Sequence, residues 1–295
     1  MRVYLALLIG VLSVAGAGGA QAPDPTAASA PAPNVRLDRV VDNQKRNDAE
    51  MEFFERIERV EIRKTANAEG EPEVKISRVI PAGTGTDHIP VGPDGNPTDP
   101  AAYRAALEKL SNALALAVSD SRAQRDAYEK IAKKRKERDE LVEATRTAFL
   151  FTYVGQEPRG GRMLTKYRML PNPAYKATSR STAIFAKVRG YVWVDEEASQ
   201  LAKVEGEVTE DISVGLFLAK VNKGSHFMQE RYEFAPGLWF PSYSQYDFDG
   251  RKLFSSFSFH ERTFYSKYHR IGPPKEALEA IRQELAASKV PARGE

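Results

Sequence analysis

The sequence predicts an α+β fold in which an antiparallel sheet has one apolar face that helices cover. After residue 148, short apolar segments alternate with turn signals such as PRGG at 158–161 and DGR at 249–251. This pattern is typical of an antiparallel meander. An amphipathic helix is predicted by apolar residues that recur every three or four positions: Tyr103, Leu107, Leu110, Leu114 and Ala117.

The alternation along the meander predicts which side chains share a face. Residues 211–221 are predicted as one strand with four apolar residues on one side: Ile212, Val214, Leu216 and Leu218. In the next strand, Met228, Tyr232 and Phe234 lie on one side together with His226 and Glu230. One face is thus apolar and the other mixed. We expect the long helices at 99–147 to cover the apolar face.

Residues 1–22 predict a secretory signal peptide. Arg2 provides a positive start, residues 3–14 are an apolar run, and small residues precede cleavage positions after Ala20 or Ala22. The apolar run is too short for a good membrane-spanning helix. Residues 23–34 are rich in Ala, Pro, Ser and Thr, which predicts a flexible leader. We therefore expect a periplasmic protein.

The amino-acid composition excludes some classes of partner and of covalent cross-link. The 295 residues include 43 basic and 40 acidic side chains, and a formal charge of +3 does not indicate a nucleic-acid partner. The chain has no cysteine, which excludes disulfide bonds and lipid attachment at a lipobox cysteine. At 42% hydrophobic residues, the chain is long enough to be held by its core alone.

The order of elements predicts a single domain over residues 35–272. Its parts are a helix at 35–51, strands at 53–64 and 73–80, a helical insert at 99–147 and the meander. Asp99 followed by Pro100 is a good helix start, because the carboxylate can cap the first turn and proline suits the first helical position. Residues 273–295 predict a C-terminal helix and a tail.

No pattern predicts a metal site, a cofactor or a catalytic residue. The four histidines are scattered, at His88, His226, His260 and His269, and no HExxH is present. No GxSxG appears, and the serines at 255–258 lie in an alternating strand, where they more often fill a face than attack a substrate.

Three consecutive carboxylates, Asp195, Glu196 and Glu197, stand between two apolar runs. A glycosidase needs two carboxyl groups facing one sugar across a cleft. Adjacent residues at a hairpin tip splay apart instead. The segment therefore predicts the solvated tip of a hairpin, and a hydrolase using these residues is the weakest alternative.

The basic run KIAKKRKER at 130–138 leaves two interpretations open. Acidic residues interleave it, which favours a solvated helix face. It could also bind an anionic surface or a protein partner, so an envelope sensor or protein-interaction module, with the sheet as scaffold, is the alternative function.

Two short motifs resemble the outer-membrane lipoprotein-sorting protein (LolA-like) superfamily, with its relatives LolB and RseB. VWVD at 192–195 turns into LAKVE at 201–205, and GLWFP stands at 237–241. The resemblance covers mainly residues 148–265, with a looser similarity at 35–80. It implies a strongly curved, unclosed half-barrel with helices covering its concave face and a cavity for acyl chains.

The resemblance implies a non-enzymatic periplasmic carrier of lipid acyl chains or lipoproteins. Its partners would be a lipid or acylated lipoprotein and an inner- or outer-membrane envelope protein. Which strand face lines the cavity is open from the sequence. The predicted ligand-binding residues are Val194, Ile212, Val214, Leu216, Leu218, Met228, Leu238, Phe240, Phe257 and Phe259.

Overall fold

The computed structural model describes residues 33–63, 71–214, 219–252 and 255–287. These residues form four α-helices: α1 (Pro33–Glu50), α2 (Pro100–Ala117), α3 (Arg122–Ala148) and α4 (Pro274–Ala287). They also form twelve strands: β1 (Phe54–Arg63), β2 (Glu73–Pro81), β3 (Thr86–Pro90), β4 (Phe149–Arg159), β5 (Arg162–Pro171), β6 (Val188–Asp195), β7 (Gln200–Val208), β8 (Ile212–Val214), β9 (Ala219–Val221), β10 (His226–Ala235), β11 (Leu238–Lys252) and β12 (Ser255–Arg270). The predicted signal peptide at 1–22 lies outside the described residues.

The strands of the described chain form an open antiparallel sheet. Neighbouring strands pair in the order β3-β2-β1-β12-β11-β10-β7-β6-β5-β4, and β9 pairs with β8 and β11 off this path. The two ends of the path, β3 and β4, do not meet. The predicted α+β fold with an unclosed antiparallel sheet is therefore confirmed.

One strand prediction is wrong. Residues 211–221 were expected to form a single strand, but β8 and β9 are separate and pair with each other, with Ile212 opposite Val221 and Val214 opposite Ala219. Antiparallel neighbours cannot belong to one continuous strand. Leu216 and Leu218 lie outside the described residues.

The described chain divides into two compact units. The first comprises the described residues of 33–47, 62–73 and 138–262, and the second those of 48–61, 74–137 and 263–287. The prediction of a single domain over 35–272, with an insert at 99–147 and a C-terminal segment at 273–295, stays a prediction.

The second unit is held together by apolar packing of α2 and α4 against β2 and β3. The buried residues of this core are Ile80, Ala82, Ile89, Leu107, Leu110, Leu114, Ile271, Ala277, Leu278 and Ile281. Asp99 caps α2 as predicted, since its carboxylate accepts hydrogen bonds of 3.0 Å from the N–H groups of Ala101 and Ala102. The helical spacing of α2 thus identified core residues correctly.

The first unit has its core between one sheet face and two helices. From α1 and α3 it takes Val40, Leu141 and Ala148. The short 3-10 helix before β6 (Thr182–Lys187) contributes Ile184 and Phe185. The strands contribute Phe149, Tyr167, Met169, Val188, Val192, Val194, Val208, Ile212, Val221, Phe227, Tyr246 and Phe248. Helices therefore cover the apolar face of this unit, but not all of them are the ones expected: α1 contributes beside the end of α3, whereas α2 packs in the second unit.

Gly190 in β6 lies opposite Gly206 in β7 at a close approach of the two backbones. A Cβ atom at Gly190 would lie 1.9 Å from the carbonyl oxygen of Glu205 and 2.2 Å from the Cα of Gly206. Real atoms do not approach so closely, so any side chain at this position must push β6 and β7 apart.

We expect Gly190→Ala to lower the free energy of unfolding by about 3 kcal/mol, because backbone rather than a flexible side chain must move. Gly155→Ala is the matched control, since a Cβ at Gly155 in β4 would meet nothing within 4 Å. Urea denaturation of both variants measures the difference. Equal stability of the two variants would contradict the close approach.

Candidate functional site

The first unit contains a cavity of about 120 Å³ between the sheet, α1 and α3. On the same scale one water molecule needs about 10–15 Å³, so the cavity has room for a small apolar group. The lining residues are Leu37, Val40, Val41, Gln44, Val142, Thr145, Arg146, Phe149, Phe151, Met169, Phe185, Val192, Val194, Leu201, Val204 and Gln229. Twelve of these sixteen are apolar, which makes the cavity suited to a hydrophobic ligand.

Strand geometry directs the wall residues inward. Phe149 and Phe151 are two residues apart in β4, as Val192 and Val194 are in β6, so each pair shares a face. In β7 the lining residues Leu201 and Val204 are three apart. A β-bulge compensates for this odd spacing: Val194 pairs with Leu201 while Trp193 pairs with Lys203, leaving one extra residue in β7.

The helical side of the cavity follows a 3.6-residue period. In α1 the lining residues are Leu37, Val40, Val41 and Gln44, which fall on one side of the helix. The last turns of α3 add Val142, Thr145 and Arg146. The amide of Gln44, the hydroxyl of Thr145 and the guanidinium of Arg146 give this side its polar groups.

Arg146 is the one cation among the lining residues, and three carboxylates surround it. Its guanidinium contacts Asp38 at 2.9 Å, Asp42 at 2.5 Å and Glu143 at 2.5 Å. Burial alone would lower the pKa of Arg146, but hydrogen bonds to these carboxylates hold it above its ordinary value. Lys45 donates to Glu143 at 2.9 Å and lowers the pKa of that carboxyl. The charge of Arg146 is thus already compensated.

One of the ten predicted ligand-binding residues, Val194, lines this cavity. Ile212 is buried in the surrounding core, and Phe257 and Phe259 pack against that core. They contribute to the unit around the cavity without lining it.

The other predicted residues lie elsewhere. Phe240 is fully buried, Leu238 is half-buried, and half-buried Met228 is next to Gln229 in β10. Because Gln229 lines the cavity, alternation turns Met228 to the opposite face. Leu216, Leu218 and the side chain of Val214 lie outside the described part of the chain. A ligand role for the ten residues stays a prediction.

Sequence reasoning missed most of the lining. The residues of β4, β5 and β7 and those of α1 were not among the predicted ligand contacts. Two signals pointed to them: the alternation of FLF at 149–151, and the spacing of Leu37, Val40 and Val41.

Asp195 ends β6 and Glu196 and Glu197 begin a turn, as predicted, but the tip is not solvated throughout. Asp195 is only 2% exposed, accepts a hydrogen bond of 2.8 Å from the N–H of Ala198, and pairs with Arg162 at 2.7 Å. The hydrogen bond to Asp195 raises the pKa of Arg162, which also lies over the ring of Trp239. The buried carboxylate of Asp195 thus stabilises the turn, because Arg162 and the N–H of Ala198 compensate its charge.

Trp193 lies on the sheet face opposite the cavity. The ammonium groups of Lys166 and Lys203 are both 4.6 Å from its ring centroid, and its Nε1 donates to Glu157 at 2.9 Å. That hydrogen bond, with the nearby lysines, lowers the pKa of Glu157. The residues that carry the family resemblance therefore have a structural role in the described contacts.

A polar network on β11 and β12 links a serine, a histidine and an aspartate in the same order as a catalytic triad. Ser258 Oγ is 3.0 Å from His260 Nε2, and His260 Nδ1 is 2.7 Å from Asp247. The Ser258 hydroxyl, however, donates to Asp249 at 2.5 Å, so its proton is directed to a carboxylate instead of to histidine. Arg262 donates to Asp247 at 3.0 Å. These contacts are explained more simply by a structural network between the two strands than by an activated serine nucleophile.

The described residues contain no group of three or more His, Cys, Asp or Glu side chains arranged to hold a metal ion. Within the same part of the chain, no helix combines the length and apolar character needed to cross a membrane.

No protein-family model matches the sequence, and no curated protein is significantly similar to it. A crystal structure described as an outer membrane lipoprotein-sorting protein domain from Vibrio parahaemolyticus is similar, with 13% identity and a TM-score of 0.31. The match covers 79% of this chain and 92% of that one. The superposition is loose, so the fold assignment rests on the strand order of the chain itself.

Asp247 provides a pH-dependent prediction. Burial alone would raise its pKa, but hydrogen bonds from Arg262, His260 and Gln245 lower it. A carboxyl with a lowered folded-state pKa stabilises the fold above its unfolded pKa, and this stability is lost as the pH falls through the folded value. We expect Asp247→Asn to cost about 1–2 kcal/mol near neutral pH, with a penalty that shrinks below about pH 4.

Urea denaturation of the wild type and Asp247→Asn across a pH series measures this effect. Asp120→Asn is the control, because the Asp120 carboxylate is 97% exposed and its ion pair with Arg125 lies in solvent. A penalty that is the same at all pH values would show that the charge of Asp247 is not what stabilises the network.

Proposed function

We propose that the protein is a non-enzymatic carrier that binds an acyl chain, free or attached to a lipoprotein, in the cavity of the first unit. The observation that carries this proposal is the predominance of apolar side chains among the lining residues. Such a cavity selects ligands by shape and hydrophobicity. No step of bond making or breaking is involved.

The energetics favour a chain-like ligand. Each buried methylene contributes about 0.8 kcal/mol. The cavity of about 120 Å³ takes only part of an acyl chain. About four buried methylenes would contribute about 3 kcal/mol before the cost of immobilising the chain. Flexible side chains such as Met169 and Leu37 can adjust to the ligand.

The charge distribution supports the same interpretation. Arg146 is the cationic residue of the lining, and it is already paired with Asp38, Asp42 and Glu143. An anionic headgroup would have to displace one of these carboxylates to reach it. The affinity therefore comes from the apolar chain, and the headgroup remains in solvent.

The place of action in this proposal is the periplasm, and its support is the predicted signal peptide at 1–22. The resemblance at 192–205 and 237–241 supports lipoprotein sorting as the process. The expected partners are an acylated lipoprotein or lipid and an envelope protein that loads or receives it.

A second candidate is an envelope sensor or protein-interaction module that uses the helices at 99–147. The supporting observation is the exposure of Lys130, Lys133, Lys134 and Lys136 on α3. Charge reversal at these lysines that abolished binding of a protein partner, while acyl binding was retained, would favour this module over the carrier.

Replacing Thr145 by Trp should fill the cavity, because this half-buried side chain lines it from α3. We expect Thr145→Trp to weaken binding of a fluorescent fatty acid by about tenfold or more, equivalent to about 1.4 kcal/mol. Thr147→Trp is the matched control, since Thr147 is exposed on the same helix and does not line the cavity. Fluorescence titration measures both affinities.

Native mass spectrometry of the protein purified from its own envelope provides the second measurement. An acyl-containing ligand on the wild type and Thr147→Trp, but not on Thr145→Trp, is the expected result. An empty wild type that also fails to bind the fluorescent fatty acid would reject the carrier.

A further inference from the structure

The open sheet has two edges, and their sequences differ. One edge strand, β3, has five residues and carries Asp87, His88 and Pro90. Short length, charge and proline are the features by which natural sheets prevent edge-to-edge pairing. This edge is thus protected against pairing with another strand.

The other edge strand, β4, is eleven residues long and uncharged from Phe149 to Gln156. Large apolar side chains are exposed along it: Leu150 at 50%, Tyr153 at 46% and Val154 at 46%. On the strand beside it, Met163 and Leu170 are exposed at 54% and 39%. The β4–β5 hairpin therefore carries five of the ten exposed large hydrophobic residues in the described chain. Such a concentration marks an interaction site.

The backbone of β4 is suited to receive a further strand. Asn172 donates from its N–H to the carbonyl of Ala148, which makes these two residues a hydrogen-bonded pair. By the alternation of an antiparallel ladder, Phe149, Phe151 and Tyr153 direct their N–H and C=O groups away from β5. Pro171, which lacks an N–H, stands opposite Phe149, in agreement with this alternation. In the described part of the chain no strand follows β4 in the sheet order.

We infer that two copies of this chain pair through β4 in an antiparallel arrangement about a two-fold axis at Thr152. This register places Phe151 opposite Tyr153 of the second copy and Leu150 opposite Val154 of the second copy. The first pair is aromatic and the second buries two exposed aliphatic side chains, both favourable across strands. The threonines face each other at the axis.

The distribution of charge along β4 favours a second copy of the same strand as its partner. In this register no charged residue of one copy faces a like charge of the other, because Glu157 and Arg159 lie beyond the paired segment. The β-bulge after Tyr153 and Pro158 limit pairing to the stretch around 149–154. The paired segment is short, so the dimer forms in a concentration-dependent way. This inference does not depend on an acyl ligand.

Thr152→Lys tests the inference, because it places two lysines directly opposite each other. We expect dimer affinity to fall by about fivefold or more. Thr86→Lys is the matched control, an exposed threonine on the protected edge strand β3, and it should leave affinity unchanged. Sedimentation velocity over a dilution series measures the dimer fraction.

A cysteine at the axis reports the register. The chain has no cysteine of its own, and non-hydrogen-bonded antiparallel partners have Cα atoms about 4.5 Å apart, within the range of a disulfide. Under mild oxidation Thr152→Cys should form a covalent dimer and Thr86→Cys should not. A wild type that is monomeric at every concentration would overturn the inference. So would a dimer that Thr152→Lys leaves intact and Thr152→Cys does not cross-link.

Discussion

A sheet that does not close into a barrel leaves its apolar face open to solvent, so other elements must cover that face. Most of the structure of the first unit follows from this constraint. Val192 and Val194 belong to a face that solvent would otherwise reach, and α1 and α3 cover it. The helices contact the sheet only partly, because Leu37 and Thr145 stand back from the strands across the cavity. The space between helix and sheet, not a dedicated pocket motif, is what provides the candidate site.

Periodicity predicted the parts of the fold that depend on one element at a time. The spacing of Leu107, Leu110 and Leu114 identified α2 and its buried side, and Asp99 identified its start. The division of 211–221 into β8 and β9 could not be predicted in this way. It depends on pairing with a distant strand, because Val221 lies opposite Gly250 of β11 as well as Ile212.

The site was harder to predict than the fold for a related reason. A single alternating strand has two candidate faces, and only the position of the helices decides between them, so Val194 was identified while Phe151 was missed. In β7 the bulge at Ala202, opposite Trp193 and Val194 of β6, breaks the period, which conceals the shared face of Leu201 and Val204. The burial of Asp195 was equally hidden, because its partner Arg162 is 33 residues away in the chain.

The turn between β4 and β5 controls more than chain reversal. Gly160 and Gly161 both adopt positive φ, at 56° and 79°, which allows a two-residue connection and holds Arg159 opposite Arg162. Inserting one residue there would shift β4 by one position and exchange its two faces. Phenylalanines would leave the cavity wall and Thr152 would enter it. The length of a glycine turn distant from the cavity thus sets which side chains form its wall, and it is a simple place for selection or engineering to change the composition of that wall.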